Sequence, residues 1–225
     1  MSPEARLIDV AVPASPTGVV IVLHGGASRQ GVTRVSPAQL SVLRMVPVAS
    51  SIRHAAAGRL AVLRLLNSRR GWDTDHTPVR DVEWALGEVA ARFGPGMAVC
   101  LVGHSLGGRA ALLSAGQPAV HGIVALAPWV DPTDALPRRR DVRIVIIHGD
   151  ADQVARPERS RAIFRRDRSA ADVAYVNVAG GTHAMLRRRA AFDTLAARCV
   201  VWMLLGEILD STVKRLASGE TWIEV

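Results

Sequence analysis

The sequence predicts an α/β fold: a doubly wound, mostly parallel sheet flanked by helices. Three observations carry that expectation. Six short apolar runs, at 19–23, 59–66, 97–102, 122–127, 143–147 and 172–176, read as strands. Their near-continuous Val, Ile and Leu content suits strands buried on both faces of a parallel sheet. Between the runs lie stripes at helical spacing, Val82, Leu86, Val89 and Phe93 in one, Phe192, Leu195, Ala196, Cys199, Trp202 and Met203 in another. Strand-like and helical patterns that alternate in this way stack into layers, with helices on both faces of one sheet.

Two segments resist this pattern. Residues 36–57 are helical in periodicity, but Pro47 should kink or break them. The closing "SGETWIEV" reads as a terminal strand, a docking segment or a frayed tail. No repeat, low-complexity tract or long linker divides the chain, so residues 1–225 are expected to form a single domain, long enough to bury a sizeable core.

Composition narrows the function classes. A hydrophobic fraction of 49% with 21% charged residues fits a soluble globular protein. The opening "MSPEARLIDVAVPAS" lacks the apolar centre of a secretory signal, and "GVVIVL" and "CVVWMLL" are far too short to span a bilayer. A cytoplasmic location without a membrane span is the expectation. Cys100 and Cys199 sit inside apolar runs and read as buried thiols. The net charge of +8 comes almost wholly from arginine, Lys214 being the only lysine. Arginines cluster at 137–141, 164–168 and 186–190. No aromatic residues interleave with them as a nucleic-acid stacking platform needs, so they read as solvated faces and no nucleic-acid partner is expected. No His/Cys/Asp cluster has metal-ligand spacing, and no cofactor motif is present.

Four features fall at the carboxyl ends of expected strands, where such sheets hold their ligands. "LVGHSLGG" (101–108) sets Ser105 among glycines where a strand should turn into a helix. G-x-S-x-G in that context is a strained turn that lifts a serine oxygen clear of the sheet. "HGDADQV" (148–154) offers Asp150 and Asp152, either able to orient an imidazole. "GGTHAM" (180–185) offers His183 in a glycine-rich loop. "LHGGASRQG" follows the run at 19–23, its glycines letting a backbone N–H face a substrate. Serine is a poor nucleophile at its free pKa and needs an adjacent base. A neutral histidine supplies one, and a carboxylate holds it in the productive tautomer.

On these motifs, and on the order serine, acid, histidine, the chain resembles the α/β-hydrolase superfamily. It is most similar to the small, cap-poor serine hydrolases of the esterase and dienelactone-hydrolase type, from about Val19 to about Leu205. The resemblance implies an α/β-hydrolase fold, Ser105 as nucleophile, His183 as general base, and Asp152 as the acid in the pattern H-G-x-x-D-x-V. It also implies oxyanion donors at the backbone N–H groups of Leu106 and Gly26, with Ala27 as a neighbour that serves instead. In "DQVARP" the proline that follows the acid, Pro157, is displaced by one place. The implied reaction is cleavage of a carboxylic ester, thioester or related acyl bond of a small-molecule substrate through an acyl-enzyme. An acyltransferase or a peptidase would use the same triad, and a ligand-binding homologue would keep the fold without turnover. Asp131 in "PWVDP" is an outside candidate for the acid. The stretch "PWVDPTDALPRRRD" carries three prolines and has no room for an amphipathic helix pair, so minimal or no cap is expected over the site.

Overall fold

The computed structural model describes residues 4–26, 35–137, 139–168 and 172–225. Eight strands form one sheet: β1 (Arg6–Ala11), β2 (Gly18–Leu23), β3 (Leu60–Leu66), β4 (Val99–His104), β5 (Val120–Leu126), β6 (Arg143–Gly149), β7 (Asp172–Val178) and β8 (Trp222–Glu224), in the order β1-β3-β2-β4-β5-β6-β7-β8. Only β1 runs antiparallel, along β3, with its register broken between Asp9 and Ala11. The doubly wound, mostly parallel sheet expected from the sequence is therefore the observed architecture, and all six expected strands are present within a few residues.

Alternation along the strands explains the two cores. Val19, Ile21 and Leu23 of β2 join one apolar layer, Val20 and Val22 the other. Successive side chains point to opposite faces of a strand, so a run buried at every position requires helices on both sides. The first layer is covered by α3 (Thr77–Phe93), α4 (Leu106–Leu113) and α5 (Pro157–Asp167). The second is covered by α2 (Met45–Ala56), α6 (Leu195–Leu205) and α7 (Ser211–Ala217). Both cysteines are free and buried in the second layer, where burial pushes their thiols far above the ordinary range. Among the described residues no helix is long and apolar enough to cross a membrane.

The break expected from Pro47 falls before the proline. A short helix, α1 (Leu40–Leu43), ends at Leu43, and α2 begins at Met45, leaving Pro47 in its first turn. Proline has no N–H to offer the carbonyl four residues back, here Leu43, and its ring crowds that carbonyl. In the first turn of a new helix the missing donor costs nothing. Met45, Val48, Ala49, Ile52 and Ala56 are buried, so α2 is a core helix and not a lid. No helix occurs among the described residues between β5 and β6, where a cap would be inserted. The closing segment is a strand, β8, with Trp222 stacked on Tyr175 at 4.7 Å.

One arginine of each cluster is built into this frame. Arg139 pairs with Asp141 and donates to the Gln117 carbonyl at 2.8 Å. Arg166 pairs with Asp167 and donates to the Asp134 carbonyl, and Arg189 pairs with Asp193 at 3.1 Å. Arg138 lies outside the described residues.

Candidate active site

Ser105 stands between β4 and α4 with φ 56° and ψ −118°, a backbone conformation unfavourable for any residue with a Cβ. Its neighbours make the turn possible. A Cβ on Gly103 would lie 2.2 Å from the Gly107 carbonyl oxygen, and one on Gly107 would lie 2.6 Å from the carbonyl oxygens of Leu23 and His24. The turn thus folds onto itself and against the end of β2. The Ser105 N–H donates to the Leu126 carbonyl at 3.0 Å, and its own carbonyl accepts from Trp129 N–H at 3.0 Å and Arg109 N–H at 3.1 Å. Three external contacts hold the strained residue.

The loops after β6 and β7 meet beside it. Gly149 and Gly181 touch so closely that a Cβ on Gly149 would fall 2.2 Å from the Gly181 carbonyl oxygen. This contact sets the acid loop against the histidine loop. His183 Nε2 lies 3.1 Å from Ser105 Oγ, and His183 Nδ1 lies 2.8 Å from Asp152 Oδ2. A carboxylate only accepts, so Nδ1 carries the proton and Nε2 is left to accept from the serine hydroxyl. The other Asp152 oxygen, Oδ1, accepts from the N–H groups of Val154 at 2.8 Å and Ala155 at 2.9 Å. Burial pushes the Asp152 carboxyl up, but hydrogen bonds from His148 and His183 outweigh it and hold it well below the usual carboxylate range.

The other acidic candidates stand elsewhere. Asp150 accepts from the Gly180 N–H at 2.7 Å, and Asp131 accepts from the Thr133 N–H and hydroxyl. Gly26 packs against Leu106, with the Leu106 Cδ1 3.2 Å from where a Gly26 Cβ would be. Among the described residues no acceptor engages the N–H of Gly26 or of Leu106, the first residue of α4. His24 ties the Gly25–Gly26 turn down: one ring nitrogen meets the Gly25 carbonyl at 2.6 Å and the other accepts from the Asn67 N–H at 3.2 Å. Burial holds that imidazole below its ordinary pKa and therefore neutral. Ala27 and the rest of 27–34 lie outside the described residues.

Three residues at the site were not read from the sequence. His148 is wholly buried; its Nε2 faces Asp152 Oδ2 at 3.1 Å and the Ala155 carbonyl at 2.8 Å, so that nitrogen carries the proton. It lies in the quoted "HGDADQV", four residues before Asp152, and that spacing was the available signal. His104 packs its ring 4.8 Å from that of His183 and donates from Nε2 to the His183 carbonyl at 2.9 Å. Burial, and next the neighbouring His183, push its pKa down to about 3. Arg44, at the break between α1 and α2, donates to the Ala184 carbonyl at 2.8 Å and the Met185 carbonyl at 3.2 Å. Its guanidinium is buried in an ion pair with Asp193 at 2.7 Å, on the π-helical turn Ala190–Thr194 that leads into α6. No local signal in the sequence marks Arg44.

Taken together, a central strained serine, a mostly parallel sheet and loops converging on its carboxyl edge define the class of the α/β-hydrolases. Solved structures share the fold. A serine hydrolase homologue from Coxiella burnetii superposes with a TM-score of 0.64 at 18% identity, covering 86% of this chain and 90% of that one. Est1E from Butyrivibrio proteoclasticus gives 0.62 at 17% identity, covering 89% and 94%. A serine hydrolase without a lid from Xanthomonas campestris gives 0.57 at 18% identity, covering 85% and 93%. A comparison with curated proteins gives no match. The PET hydrolase-like family model matches residues 89–211, more than half of the chain, and the chain belongs to that family. The protein is accordingly a hydrolase of the ester-cleaving kind.

Proposed function

We propose that the protein cleaves a carboxylic ester, thioester or related acyl bond of a small molecule through an acyl-enzyme on Ser105, with His183 as general base and Asp152 as the acid. The observation that carries this reading is the unbroken chain from Ser105 Oγ to His183 Nε2 at 3.1 Å and from His183 Nδ1 to Asp152 at 2.8 Å. The family's name supports an ester over an amide, since a polyester is joined by carboxylic ester bonds.

Ser105 Oγ attacks the carbonyl carbon while its proton passes to His183 Nε2. Asp152 stabilises the imidazolium that forms and stays ionised. Negative charge gathers on the former carbonyl oxygen, which the N–H groups of Gly26 and Leu106 receive. Removing one such donor typically costs roughly 3 kcal/mol of barrier. Collapse of the tetrahedral intermediate breaks the ester bond, and the departing alkoxide takes the proton from His183. Water then gives a proton to His183, attacks the acyl carbon and regenerates Ser105 as the acid product leaves.

The test is hydrolysis of 4-nitrophenyl acetate by the purified protein and by Ser105→Ala. Turnover lost in the variant is expected. Equal turnover by both proteins, or none by either, overturns the reading, the second outcome in favour of a ligand-binding homologue. Diversion of the acetyl group to an added alcohol in place of water would identify an acyltransferase.

A further inference from the structure

A cavity of about 200 Å³ has Trp129, Val154, Arg156 and Arg159 in its wall. Its lining is tethered to two of the residues described above. Trp129 donates its N–H to the Ser105 carbonyl at 3.0 Å, and Val154 donates its N–H to Asp152 Oδ1 at 2.8 Å. Two of its wall residues are thus bonded directly to Ser105 and Asp152, and two more are arginines where α5 begins.

Those two arginines differ from one member of each cluster. Arg139, Arg166 and Arg189 are each engaged by a carboxylate. Neither the Arg156 nor the Arg159 side chain makes an ion pair or hydrogen bond among the described residues. Asp131 feels the charge of Arg159, but its carboxylate is turned onto the Thr133 N–H and hydroxyl. Glu158, between the two arginines in sequence, is not part of the lining. Trp129 is itself fixed from behind. The Arg109 guanidinium lies 5.6 Å from its ring centre and 4.0 Å from that of Trp72, and Arg109 is locked at 2.7 Å in a buried pair with Asp134. Trp129 is thus held in place, and among the described residues no carboxylate pairs directly with the Arg156 or Arg159 side chain.

We infer that this cavity selects substrates carrying a carboxylate, with the apolar body of the substrate against Trp129 and Val154 and its anionic end at Arg156 and Arg159. The inference rests on the ester-hydrolase reading above. Guanidinium groups bind carboxylates through paired, charge-assisted hydrogen bonds, which are stronger than those between neutral groups. Both arginines are exposed, so salt weakens the attraction, and the gain is modest.

The experiment compares two esters that differ only at the chain end: 4-nitrophenyl hexanoate and the 4-nitrophenyl monoester of adipic acid, whose terminal carboxylate replaces the methyl group. The quantity read is the ratio of kcat/KM for the acid over the neutral ester. It is expected to fall about ten-fold in the double variant Arg156→Ala/Arg159→Ala, the size of one lost charge-assisted contact. The change should lie mainly in KM, since the contact is present in both ground and transition states. Arg165→Ala, further along α5, controls for net charge and should leave the ratio near that of the natural protein. An unchanged ratio in the double variant, or an equal fall in Arg165→Ala, overturns the inference while leaving ester hydrolysis standing. If neither ester is turned over, the hydrolase reading fails instead. Calorimetric binding of adipate to Ser105→Ala then decides the inference separately. Binding lost with the two arginines sustains it, and no binding, or binding indifferent to them, overturns it.

Discussion

His148 and His183 donate to the same carboxylate oxygen, Asp152 Oδ2, at 3.1 and 2.8 Å. Asp152 is thereby fixed from two directions, and its second oxygen is occupied by the Val154 and Ala155 N–H groups. Beyond His148 the contacts continue to the Ser160 hydroxyl at 2.8 Å and from there to the Tyr175 hydroxyl at 3.2 Å. The acid loop is thus anchored through β7 and α5. Little freedom is left for the carboxylate to leave the imidazole.

This arrangement separates the two aspartates of the loop. Asp152→Asn should lower kcat by a factor on the order of ten thousand, because an amide can present a donor to Nδ1 and stabilise the wrong tautomer. Asp150→Asn loses only a loop contact to the Gly180 N–H and should cost less than about ten-fold. Steady-state hydrolysis of 4-nitrophenyl acetate by both variants checks this. A large loss in Asp150→Asn with a silent Asp152→Asn would reverse the assignment.

Arg44 bears on the same site from another side. It holds the carbonyls of Ala184 and Met185, the two residues after His183, while its buried partner is Asp193. Arg44→Met should lower stability by about 3 kcal/mol, since Asp193 is left buried with only the more exposed Arg189 to pair with. Adding Asp193→Asn removes that uncompensated charge and should recover most of the stability. The recovered protein should still show kcat reduced about ten-fold with little change in KM, because a misplaced base weakens the transition state alone. Full recovery of kcat in the double variant would make Arg44 a purely structural residue.

The sheet was legible because its parallel strands are buried on both faces and leave continuous apolar runs. β1 was not, since its residues are at most half-buried at the sheet edge and its apolar and polar positions mix. α5 was hidden for a similar reason: arginines dominate its sequence, and its buried side is little more than Pro157, Ser160, Ile163 and Phe164. Ser105 and His183 could be singled out because glycine-rich turns and the order serine, acid, histidine mark them, and the family resemblance chose Asp152 over Asp150. Arg44 could not, because its partner Asp193 is 149 residues away and the pairing depends wholly on how α2 packs beside α6. His104 and His148 looked like two of seven histidines. Only the tertiary structure distinguishes a ring packed on His183 from one on the surface.

Acid should unfold the protein earlier than its carboxylates alone would require. Folding holds the His104 pKa near 3, from an ordinary value of 6.5, and shifts that of His24 in the same direction. The unfolded chain therefore binds more protons below pH 6.5. Stability from these groups is complete above that pH and drains away as the pH falls, for His104 toward 3. Each group contributes a slope of up to about 1.4 kcal/mol per pH unit. The Asp152 shift has the same sign but acts only below the usual carboxylate range. Urea unfolding at pH 7.5, 6 and 5 should show this loss, and His104→Gln should flatten it. Parallel curves for the two proteins would remove His104 from the explanation.

The acyl-chain preference should be short. A segment without described helices joins β5 to β6, and α2 is buried against the sheet, so neither forms a helical cap. The cavity of about 200 Å³ has two arginines in its wall, which an uncharged long chain cannot satisfy. An enclosed acyl tunnel would reward every added methylene by about 0.8 kcal/mol, a steep and continued rise in kcat/KM. With one short apolar wall from Trp129 and Val154, the rise should stop once that wall is covered, and further carbons would lie in water. For neutral 4-nitrophenyl esters presented as monomers, kcat/KM is expected to peak at short chains and to decline beyond roughly six to eight carbons, on that methylene scale. It should also change little with salt, because a neutral ester offers nothing for the arginines to steer. A series from acetate to palmitate, at low and high ionic strength, measures both. A maximum at palmitate would mean that an apolar cover closes over the site in solution, and the exposed Leu40 and Leu43 of α1 would then be the first residues to replace.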